Sequence, residues 1–332
     1  MYTSFEETSL DKIITLLKSH KAEFVSGEQL SKSLNTSRAA IWKNIKKLQS
    51  LGYNILSRPN VGYKLISKPD LLLPWEILDG LQTNVIGQKI YYFDTIDSTQ
   101  SFALKLSEKP HENGSLVIAE RQTRGRGRLN RKWVSPKGGI WLSILLRPNF
   151  EISQVSLFPI MTSLALSIAI EKILKLKPKL KWPNDVILNS KKVAGILIDA
   201  SIESNKIDYL VIGVGINYRI EPQVVSKLIK KTKGRYGVTS LVKKNQKSDP
   251  IRLVQEFLFQ LEQFQQKIVS NDLKAIRKEY LRRSLTIGKN VVVSTHKGTI
   301  TGKASTIDEN GALIISSKGK AQRVLVGDVV HT

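Results

Sequence analysis

The chain has 332 residues, a length that exceeds one typical hydrophobic core and predicts two or three domains. Hydrophobic residues make up 41% and charged residues 24%, as in soluble globular proteins, which excludes wholesale disorder and fibrous repeats. The absence of cysteine excludes disulfide frameworks, thiolate metal sites and thiol nucleophiles. The formal net charge of +24 implies attraction to anions such as nucleic acid, nucleotides or acidic proteins.

Two features of the sequence predict a cytoplasmic protein without a membrane partner. The first residues include Glu6 and Glu7 and lack the basic patch and apolar run of a secretory signal. The apolar stretch 155–176 is long enough to cross a bilayer, but Pro159 and Glu171 interrupt it. We therefore expect a buried core helix there rather than a membrane span.

The N-terminal region has the pattern of helices followed by a β-hairpin. Ser26 and Gln29 form a capping-box pattern that predicts the start of a second helix. A third helix is predicted over Ser37–Leu51, where a glycine follows and ends it. Two strand-like runs, Tyr53–Leu56 and Tyr63–Ile66, then predict a hairpin. A helix-turn-helix followed by a hairpin is the pattern of a winged helix.

The charge of this region predicts a DNA-binding surface. No acidic residue occurs from Gln29 to Pro69, so this region is positively charged and would attract the DNA backbone. In that case the third helix would enter the major groove while the hairpin approaches phosphates. The alternative is a charged, solvated helix in a small packing domain. The predicted DNA-binding segment is the helix-turn-helix from Gly27 to Lys46, with contacts from Ser37, Arg38, Lys43, Lys46, Lys47 and Arg58.

The rest of the chain predicts a central mixed α/β domain and a small β-barrel, which makes the protein an α+β multidomain chain. Residues 67–70 read as a linker, and the predicted domains are 1–68, 69–284 and 285–332. Central helices are predicted at Leu157–Leu174 and from Asp249–Pro250 onward. Central strands are predicted at Lys89–Phe93, Ser115–Glu120, Ile140–Leu146, Leu180–Trp182, Val186–Leu188, Lys192–Asp199 and Tyr209–Ile216. The barrel strands are predicted at Val291–Ser294, Gly298–Ala304, Ala312–Ser316 and Arg323–Val326.

The segment Arg121–Trp133 alternates glycines with arginines directly after a predicted strand. Glycines allow backbone amides to approach phosphate oxygens, and arginines supply fixed charge and paired donors. The pattern matches neither a P-loop nor the dinucleotide-binding fingerprint. It predicts an anion-binding loop, with an RNA-binding arginine tract as the alternative.

Two further patterns add candidate site residues. In the turn Lys181–Asp185, the lysine would neutralise a carboxylate or α-phosphate and Asp185 would hold Mg²⁺, although such a turn is also ordinary structure. Glycines within Val193–Leu197 and Gly213–Asn217 allow close approach of a ligand, or mark bulges in a packed sheet. The basic loop 227–235 reads as solvated surface.

Taken in order, these segments resemble bifunctional biotin–protein ligases that double as biotin operon repressors, of the BirA type. The resemblance covers nearly the whole chain, and the order and spacing of its segments make it highly specific. It rests on residues 26–30 and 37–41, Asp97–Thr99, Gly125–Arg128 with Arg131–Trp133, Lys181–Asp185, Val193–Leu197 and Gly213–Asn217.

The resemblance implies a central domain of the biotin/lipoate ligase type, a small SH3-like C-terminal β-barrel, and the activity of an AMP-forming biotin–[acetyl-CoA-carboxylase] ligase. The carboxylate of biotin attacks the α-phosphate of ATP to give biotinyl-5′-AMP, and a lysine of a biotin carboxyl-carrier protein or domain then takes the biotin. By analogy, the catalytic residues are Lys181, Arg126 and Arg128. The biotin site is Ser98, Thr99, Gln100, Gln122, Arg126, Gly127, Arg128, Lys181, Gly195 and Gly215; the ATP or adenylate site is Arg126, Arg128, Arg131, Trp133, Asn184 and Asn217, with Mg²⁺ at Asp185.

The resemblance also implies regulation and leaves alternatives. Biotinyl-5′-AMP would act as corepressor by promoting a homodimer that binds operator DNA and represses biotin synthesis or uptake genes. The alternatives are a ligase without DNA-binding regulation, a non-catalytic biotin-responsive regulator and a lipoate ligase. Two departures from the family pattern are Gln100 where asparagine is usual and Asn130 where a glycine is usual; we expect Asn130 to restrict the loop unless it is left-handed.

Overall fold

A computed structural model of the chain divides it into two compact units. The N-terminal unit is Ser4–Trp75, and the large unit is Met1–Thr3 together with Glu76–Thr332. The structure describes residues 2–4, 9–20, 23–109, 112–148, 152–203, 206–221, 223–224, 237–243, 245–270, 272–296, 298–317 and 319–332. The basic loop predicted at 227–235 lies outside the described residues.

The N-terminal unit is a winged helix, as predicted. Its helices are α1 (Ser9–Ser19), α2 (Gly27–Ser33) and α3 (Arg38–Ser50), followed by the hairpin β2 (Asn54–Arg58) and β3 (Gly62–Ser67). The core is formed by aliphatic side chains at helical spacing, since these positions lie on one face of each helix. Its fully buried members include Ile13, Ile14, Leu17, Leu30, Ile41, Ile45 and Leu48.

Local hydrogen bonds set where α2 and α3 begin. The backbone N–H of Gln29 donates to Ser26 Oγ at 3.1 Å, and the N–H of Ser26 donates to Gln29 Oε1 at 2.9 Å. This reciprocal pair satisfies two N–H groups that the first turn leaves without helical partners, and it confirms the predicted capping box. The hydroxyl of Ser37 likewise accepts from Ala40 N at 3.1 Å and caps α3.

The large unit is organised around one eight-stranded mixed sheet. The strand order is β1-β4-β5-β6-β10-β9-β8-β7. Strands β4 and β5 are parallel, and every later neighbouring pair in that order is antiparallel. The strands are β1 (Tyr2–Ser4), β4 (Ile90–Ile96), β5 (Ser115–Gln122), β6 (Ile140–Leu146), β7 (Lys179–Lys181), β8 (Asp185–Leu188), β9 (Lys191–Glu203) and β10 (Lys206–Ile216). The predicted strand Leu180–Trp182 therefore begins and ends one residue earlier.

Among the described residues, five α-helices follow the N-terminal hairpin, and the second of them carries part of the site. Helix α5 (Thr99–Leu106) connects parallel β4 and β5 and buries Ala103 and Leu106 against both strands. Helix α6 (Leu157–Leu174) is long and apolar enough to cross a membrane, yet it is mostly buried inside the fold, as predicted for a core helix. The others are α4 (Pro74–Leu78), α7 (Pro250–Val269) and α8 (Leu273–Arg283).

The C-terminal region forms a five-stranded antiparallel sheet within the large unit. Its order is β14-β13-β12-β11-β15, which confirms the predicted C-terminal β domain; the predicted boundary at 284/285 stays a prediction. The bounds predicted for a strand at Arg323–Val326 are wrong, because that strand begins three residues and ends two residues earlier, and the last strand was missed. The strands are β11 (Asn290–Thr295), β12 (Gly298–Ile307), β13 (Leu313–Ser317), β14 (Lys320–Val324) and β15 (Asp328–His331).

Candidate functional site

The glycine-arginine loop follows β5 and closes on itself like a hairpin. Trp133 N donates to the carbonyl of Gly125 at 2.9 Å, and Gly127 N donates to that of Arg131 at 2.8 Å. At the tip, Leu129 and Asn130 have φ values of 53° and 56°. Asn130 is therefore left-handed, the one conformation in which we expected it to replace glycine without restricting the loop.

Three arginines of the loop, Arg126, Arg128 and Arg131, are already paired with protein groups. Arg126 Nη1 lies 3.2 Å from Asp199 Oδ2 on β9. Arg128 donates to Asn184 Oδ1 at 3.0 Å and to the carbonyl of Gly327 at 3.2 Å. Arg131 pairs with Asp328 of β15. Burial lowers the pKa of Arg128, with Asp328 opposing that shift, so the loop holds a desolvated cation for an anionic ligand.

Sheet register places two glycines side by side under the indole of Trp133. Gly195 of β9 pairs with Gly215 of β10 on one side and with Asp185 of β8 on the other. A Cβ atom at Gly195 would lie 3.0 Å from the Trp133 ring, and one at Gly215 would lie 2.4 Å from Trp133 Nε1. The glycines are therefore required by the close approach of the indole, which rests directly on this part of the sheet.

Lys192 joins this cluster and was not among the predicted site residues. Its Nζ lies 2.6 Å from Asp185 Oδ1 and 5.1 Å from the centroid of the Trp133 ring, a cation–π distance. The sequence signal was available, because Lys192 begins the same glycine-containing strand that we singled out. Lys181 lies on β7, where burial lowers its pKa and Asp185 opposes that shift.

A second group of predicted residues forms a buried polar network at the start of α5. The hydroxyl of buried Ser98 accepts from Ser101 N at 3.3 Å and caps the helix. Thr99 donates through its backbone N–H and its hydroxyl to Gln122 Oε1, at 2.8 and 3.0 Å. Gln122 Nε2 in turn donates to Ser135 Oγ at 2.8 Å. The network fixes Ser98, Thr99 and Gln122 relative to one another.

Gln100 extends the network across the sheet. Its amide nitrogen donates to Asp199 Oδ2 at 3.1 Å and to the carbonyl of Val211 at 3.0 Å, and its oxygen accepts from Ser143 Oγ at 3.0 Å. A Cβ atom at Gly213 would lie 2.4 Å from that oxygen. Asp199 thus links Gln100 to Arg126 of the loop. Both donors of the Gln100 amide are engaged, so Gln100 reaches any ligand through this network.

Asn184 and Asn217 are held close to the glycine pair. Asn184 Nδ2 donates to the carbonyl of Ile196 at 2.7 Å, and buried Asn217 directly follows β10. Asp185 is paired with Lys192, and the described residues contain no group of three or more histidines or acidic residues that would hold a metal ion. The predicted role of Asp185 as a Mg²⁺ ligand stays a prediction.

The predicted DNA-binding residues lie on α2, α3 and the hairpin. Lys43 and Lys46 are exposed on α3, and Lys47 is half-buried. Arg38 forms an exposed ion pair, with its Nη2 2.8 Å from Glu28 Oε2 on α2. Arg58 of the hairpin stacks 5.0 Å from the centroid of the Phe24 ring. The surface therefore carries exposed lysines and anchored arginines.

Three family models match successive parts of the chain. Residues 92–217 match the biotin/lipoate A/B protein ligase family, residues 9–64 match an HTH domain, and residues 286–332 match the biotin protein ligase C-terminal domain. Together they describe a ligase catalytic domain between a helix-turn-helix domain and a C-terminal β domain, which confirms the predicted fold class.

Two individual relatives match nearly the whole chain, and a solved structure matches about three quarters of it. The bifunctional ligase/repressor BirA of Bacillus subtilis (strain 168) is 33% identical over 319 residues, covering 96% of this chain and 97% of the relative. The protein of the same name from Escherichia coli (strain K12) is 31% identical over 335 residues, covering 96% and 95%. A solved biotin protein ligase from Aquifex aeolicus in complex with biotin and ATP is 29% identical, covers 73% of this chain and 98% of that one, and has a TM-score of 0.58. This chain belongs to the family of bifunctional biotin–protein ligase/repressors of the BirA type.

Proposed function

We propose that this chain joins biotin to ATP to form biotinyl-5′-AMP, transfers biotin to a lysine of a carrier protein, and represses transcription when the adenylate persists. The proposal rests on the cluster of Lys192 and Trp133 over paired Gly195 and Gly215, with Arg128 hydrogen-bonded to Asn184, the residue before Asp185. Such a cluster gives an aromatic surface for a nucleotide and cations for phosphate and carboxylate. Membership in the bifunctional family supports both activities.

The first step joins two anions, so it requires charge neutralisation and alignment. A biotin carboxylate oxygen attacks the α-phosphorus of ATP, the bond to the β-phosphate oxygen breaks, and pyrophosphate leaves. Arg128, partly desolvated and oriented by Asn184 and the Gly327 carbonyl, would stabilise the charge that develops on the α-phosphoryl oxygens. Catalysis of this kind needs no histidine base.

We assign Lys192 and Lys181 to the meeting point of carboxylate and phosphate. Lys192 has its ammonium between Asp185 and the face of Trp133, so it would exchange its carboxylate partner for the substrates. Lys181 lies on the strand that pairs with the strand of Asp185 and adds positive potential from a partly desolvated position. Neither lysine needs to change its protonation state.

The second step transfers the acyl group. The uncharged amine of a carrier lysine attacks the carbonyl carbon of the mixed anhydride, the bond to the phosphate oxygen breaks, AMP leaves, and the amine loses a proton. We propose that the glycine-arginine loop covers the anhydride and excludes water until the carrier arrives. The buried network of Ser98, Thr99 and Gln122 would hold the ring of biotin, with Gln100 supporting Arg126 through Asp199.

Magnesium enters with ATP as part of the substrate. Mg²⁺ usually binds through phosphate oxygens, water and only one or two protein carboxylates, and Asp185 is one acidic side chain beside Lys192. In the proposed reaction the protein therefore acts on ATP through its own cations, and Mg²⁺ stays with the phosphates. Arg131, Trp133 and Asn217 would contact the nucleotide.

The regulatory half of the proposal concerns DNA and assembly. Relatives named as repressors and the HTH match support DNA binding in general, and the exposed lysines of α3 fit a phosphate-lined groove. We propose that biotinyl-5′-AMP promotes a homodimer that presents two winged helices to a palindromic operator. We also propose that the protein works in the cytoplasm.

Native mass spectrometry after incubation with biotin and MgATP tests the proposal directly. We expect retained biotinyl-5′-AMP and a shift towards dimer, and we expect a biotin carboxyl-carrier domain to be labelled on addition. Retention of lipoyl-AMP in preference to biotinyl-AMP in a competition would contradict the substrate. If the protein forms the adenylate and labels the carrier but does not bind operator DNA, the proposed ligase activity stands and the proposed repressor activity is rejected.

A further inference from the structure

The outward face of α3 presents a large aromatic side chain to solvent. Trp42 is 56% exposed, although an aromatic side chain of this size normally gains most of its stabilisation by burial. It lies four residues after Arg38 and four before Lys46, so all three share one side of the helix, which flanks the stripe of buried Ile41, Ile45 and Leu48.

The neighbours of Trp42 suit a nucleic acid more than a protein surface. Lys46 Nζ lies 5.8 Å from the centroid of the Trp42 ring, Lys43 is exposed beside it, and the sequence from Gln29 to Pro69 carries no acidic residue. Ala39, one turn earlier, is small and exposed, so it leaves the edge of the indole accessible. Apolar contact flanked by cations fits a groove lined with phosphates.

The arginine on this face is engaged elsewhere. Arg38 pairs with Glu28 at 2.8 Å, and the same carboxylate pairs with Lys32 at 2.9 Å. Reading a guanine through Arg38 would require this exposed ion pair to open. Trp42 is the large apolar side chain on this side of the helix, and the apolar group that base edges offer in the major groove is the thymine C5-methyl.

We propose that Trp42 reads thymine methyl groups in the operator half-site and is a specificity-determining residue of the DNA-binding surface. This inference rests on the proposed repressor function. The lysines around Trp42 contact phosphates and set affinity, whereas the indole sets which base is accepted at one position of each half-site.

The DNA probe is a duplex selected from a random library by the wild-type chain in the presence of biotin and MgATP. Replacing thymine by deoxyuridine at each position of the selected duplex removes only the methyl group. We expect wild-type binding to weaken about tenfold at one symmetric pair of positions, the usual size of a lost base contact. We expect Trp42→Ala to bind the thymine and uracil duplexes equally, with an unchanged dependence of affinity on salt.

The outcomes separate this inference from the function on which it rests. If the wild-type chain enriches no sequence, the repressor proposal fails. If it enriches a sequence but no uracil substitution weakens binding, Trp42 does not read thymine, and this inference alone is overturned. A Trp42→Ala protein that keeps the base preference but loses the dimer would overturn it in favour of a protein contact.

Two further variants serve as controls. Trp42→Phe keeps an apolar ring and should retain part of the thymine preference. Val269→Ala removes a side chain that is 74% exposed in the large unit, and it should leave the selected sequence unchanged. A loss of preference in Val269→Ala equal to that in Trp42→Ala would contradict a specific contact.

Discussion

The two cationic regions of this chain differ in how their charges are held. Around the glycine-arginine loop, each named cation has a protein partner: Arg126 has Asp199, Arg128 has Asn184 and Gly327, and Lys192 has Asp185. On α3, Lys43 and Lys46 are exposed to solvent. Cations oriented inside a fold need little reorganisation when a ligand arrives, whereas exposed lysines act through a screened field.

The difference matches the two proposed tasks. A catalytic site must place charge within a fraction of an ångström of one phosphoryl group, so partners such as Asn184 are useful even though they compete with the ligand. A repressor surface must first find any DNA, for which long, solvated lysines are sufficient. Specific reading then falls to side chains with defined geometry, such as Trp42.

The largest effect that we predict is at Lys192. Lys192→Ala removes the cation between Asp185 and Trp133, and we expect adenylate formation to fall about 100- to 1,000-fold, measured as biotin-dependent release of pyrophosphate. Lys105→Ala, on the exposed surface of α5, is the control and should leave the rate unchanged. Normal activity of Lys192→Ala together with loss of activity in Lys181→Ala would move the role to Lys181.

Two adjacent arginines of α8 allow a direct test of the difference between buried, ion-paired cations and exposed ones. Arg283 has a side chain only 9% exposed and pairs with Glu171 and Glu279, whereas Arg282 is 62% exposed and pairs with Glu279. We expect Arg283→Ala to lower the free energy of unfolding by about 3 kcal/mol and Arg282→Ala by less than about 1 kcal/mol, measured by urea denaturation. Equal losses would contradict the contrast.

The pH dependence of that experiment has a defined sign. The arginines Arg282 and Arg283 lower the pKa of Glu279 from 4.5 to about 2. The stabilisation from ionised Glu279 is therefore fully present above pH 4.5 and is lost as the pH falls towards 2. The difference in the free energy of unfolding between wild type and Arg282→Ala should therefore shrink as the pH falls over that interval. A difference that does not change with pH would argue against the ion pair.

A smaller effect is expected from a steric clash beneath Trp133, next to the glycine-arginine loop. Gly215→Ala would place a Cβ atom 2.4 Å from Trp133 Nε1 and 2.6 Å from Cε2, so the indole must move off the sheet. We expect the KM for ATP to rise about tenfold, which corresponds to about 1.4 kcal/mol, in a steady-state assay. Gly237→Ala, whose Cβ would meet no heavy atom closer than 3.6 Å, is the matched control.

The smallest effect concerns an exposed lysine. Lys46→Ala should lower by about 1 the slope of the logarithm of DNA affinity against the logarithm of salt concentration, because one phosphate contact is lost. Fluorescence anisotropy on the selected duplex measures this slope. Adenylate formation should respond far less to salt, since its cations are already paired. Equal salt dependence of the two activities would remove the distinction between the regions.

Much of the site was accessible from local sequence. The segments 121–133, 181–185, 193–197 and 213–217 each lie where a turn or a strand with glycine was predicted, and the capping box at Ser26 fixed the start of α2. Helix α8 was missed because charged residues dominate its sequence, although Leu273, Ile276 and Tyr280 have helical spacing. Buried Ile276 and Tyr280 anchor it, together with Arg283, which reaches Ser167 and Glu171 of α6.

Residue types at short spacing were enough to predict the winged helix, most strands of the large sheet, the cationic loop and the family. The folded sheet is what brings Gly195 and Gly215 together across two strands beneath Trp133, adds Lys192 to the site, and carries Asp328 to the loop from the last strand. Such contacts depend on strand register and on packing between residues up to 197 positions apart. No local pattern encodes them, because they exist only once the sheet has formed.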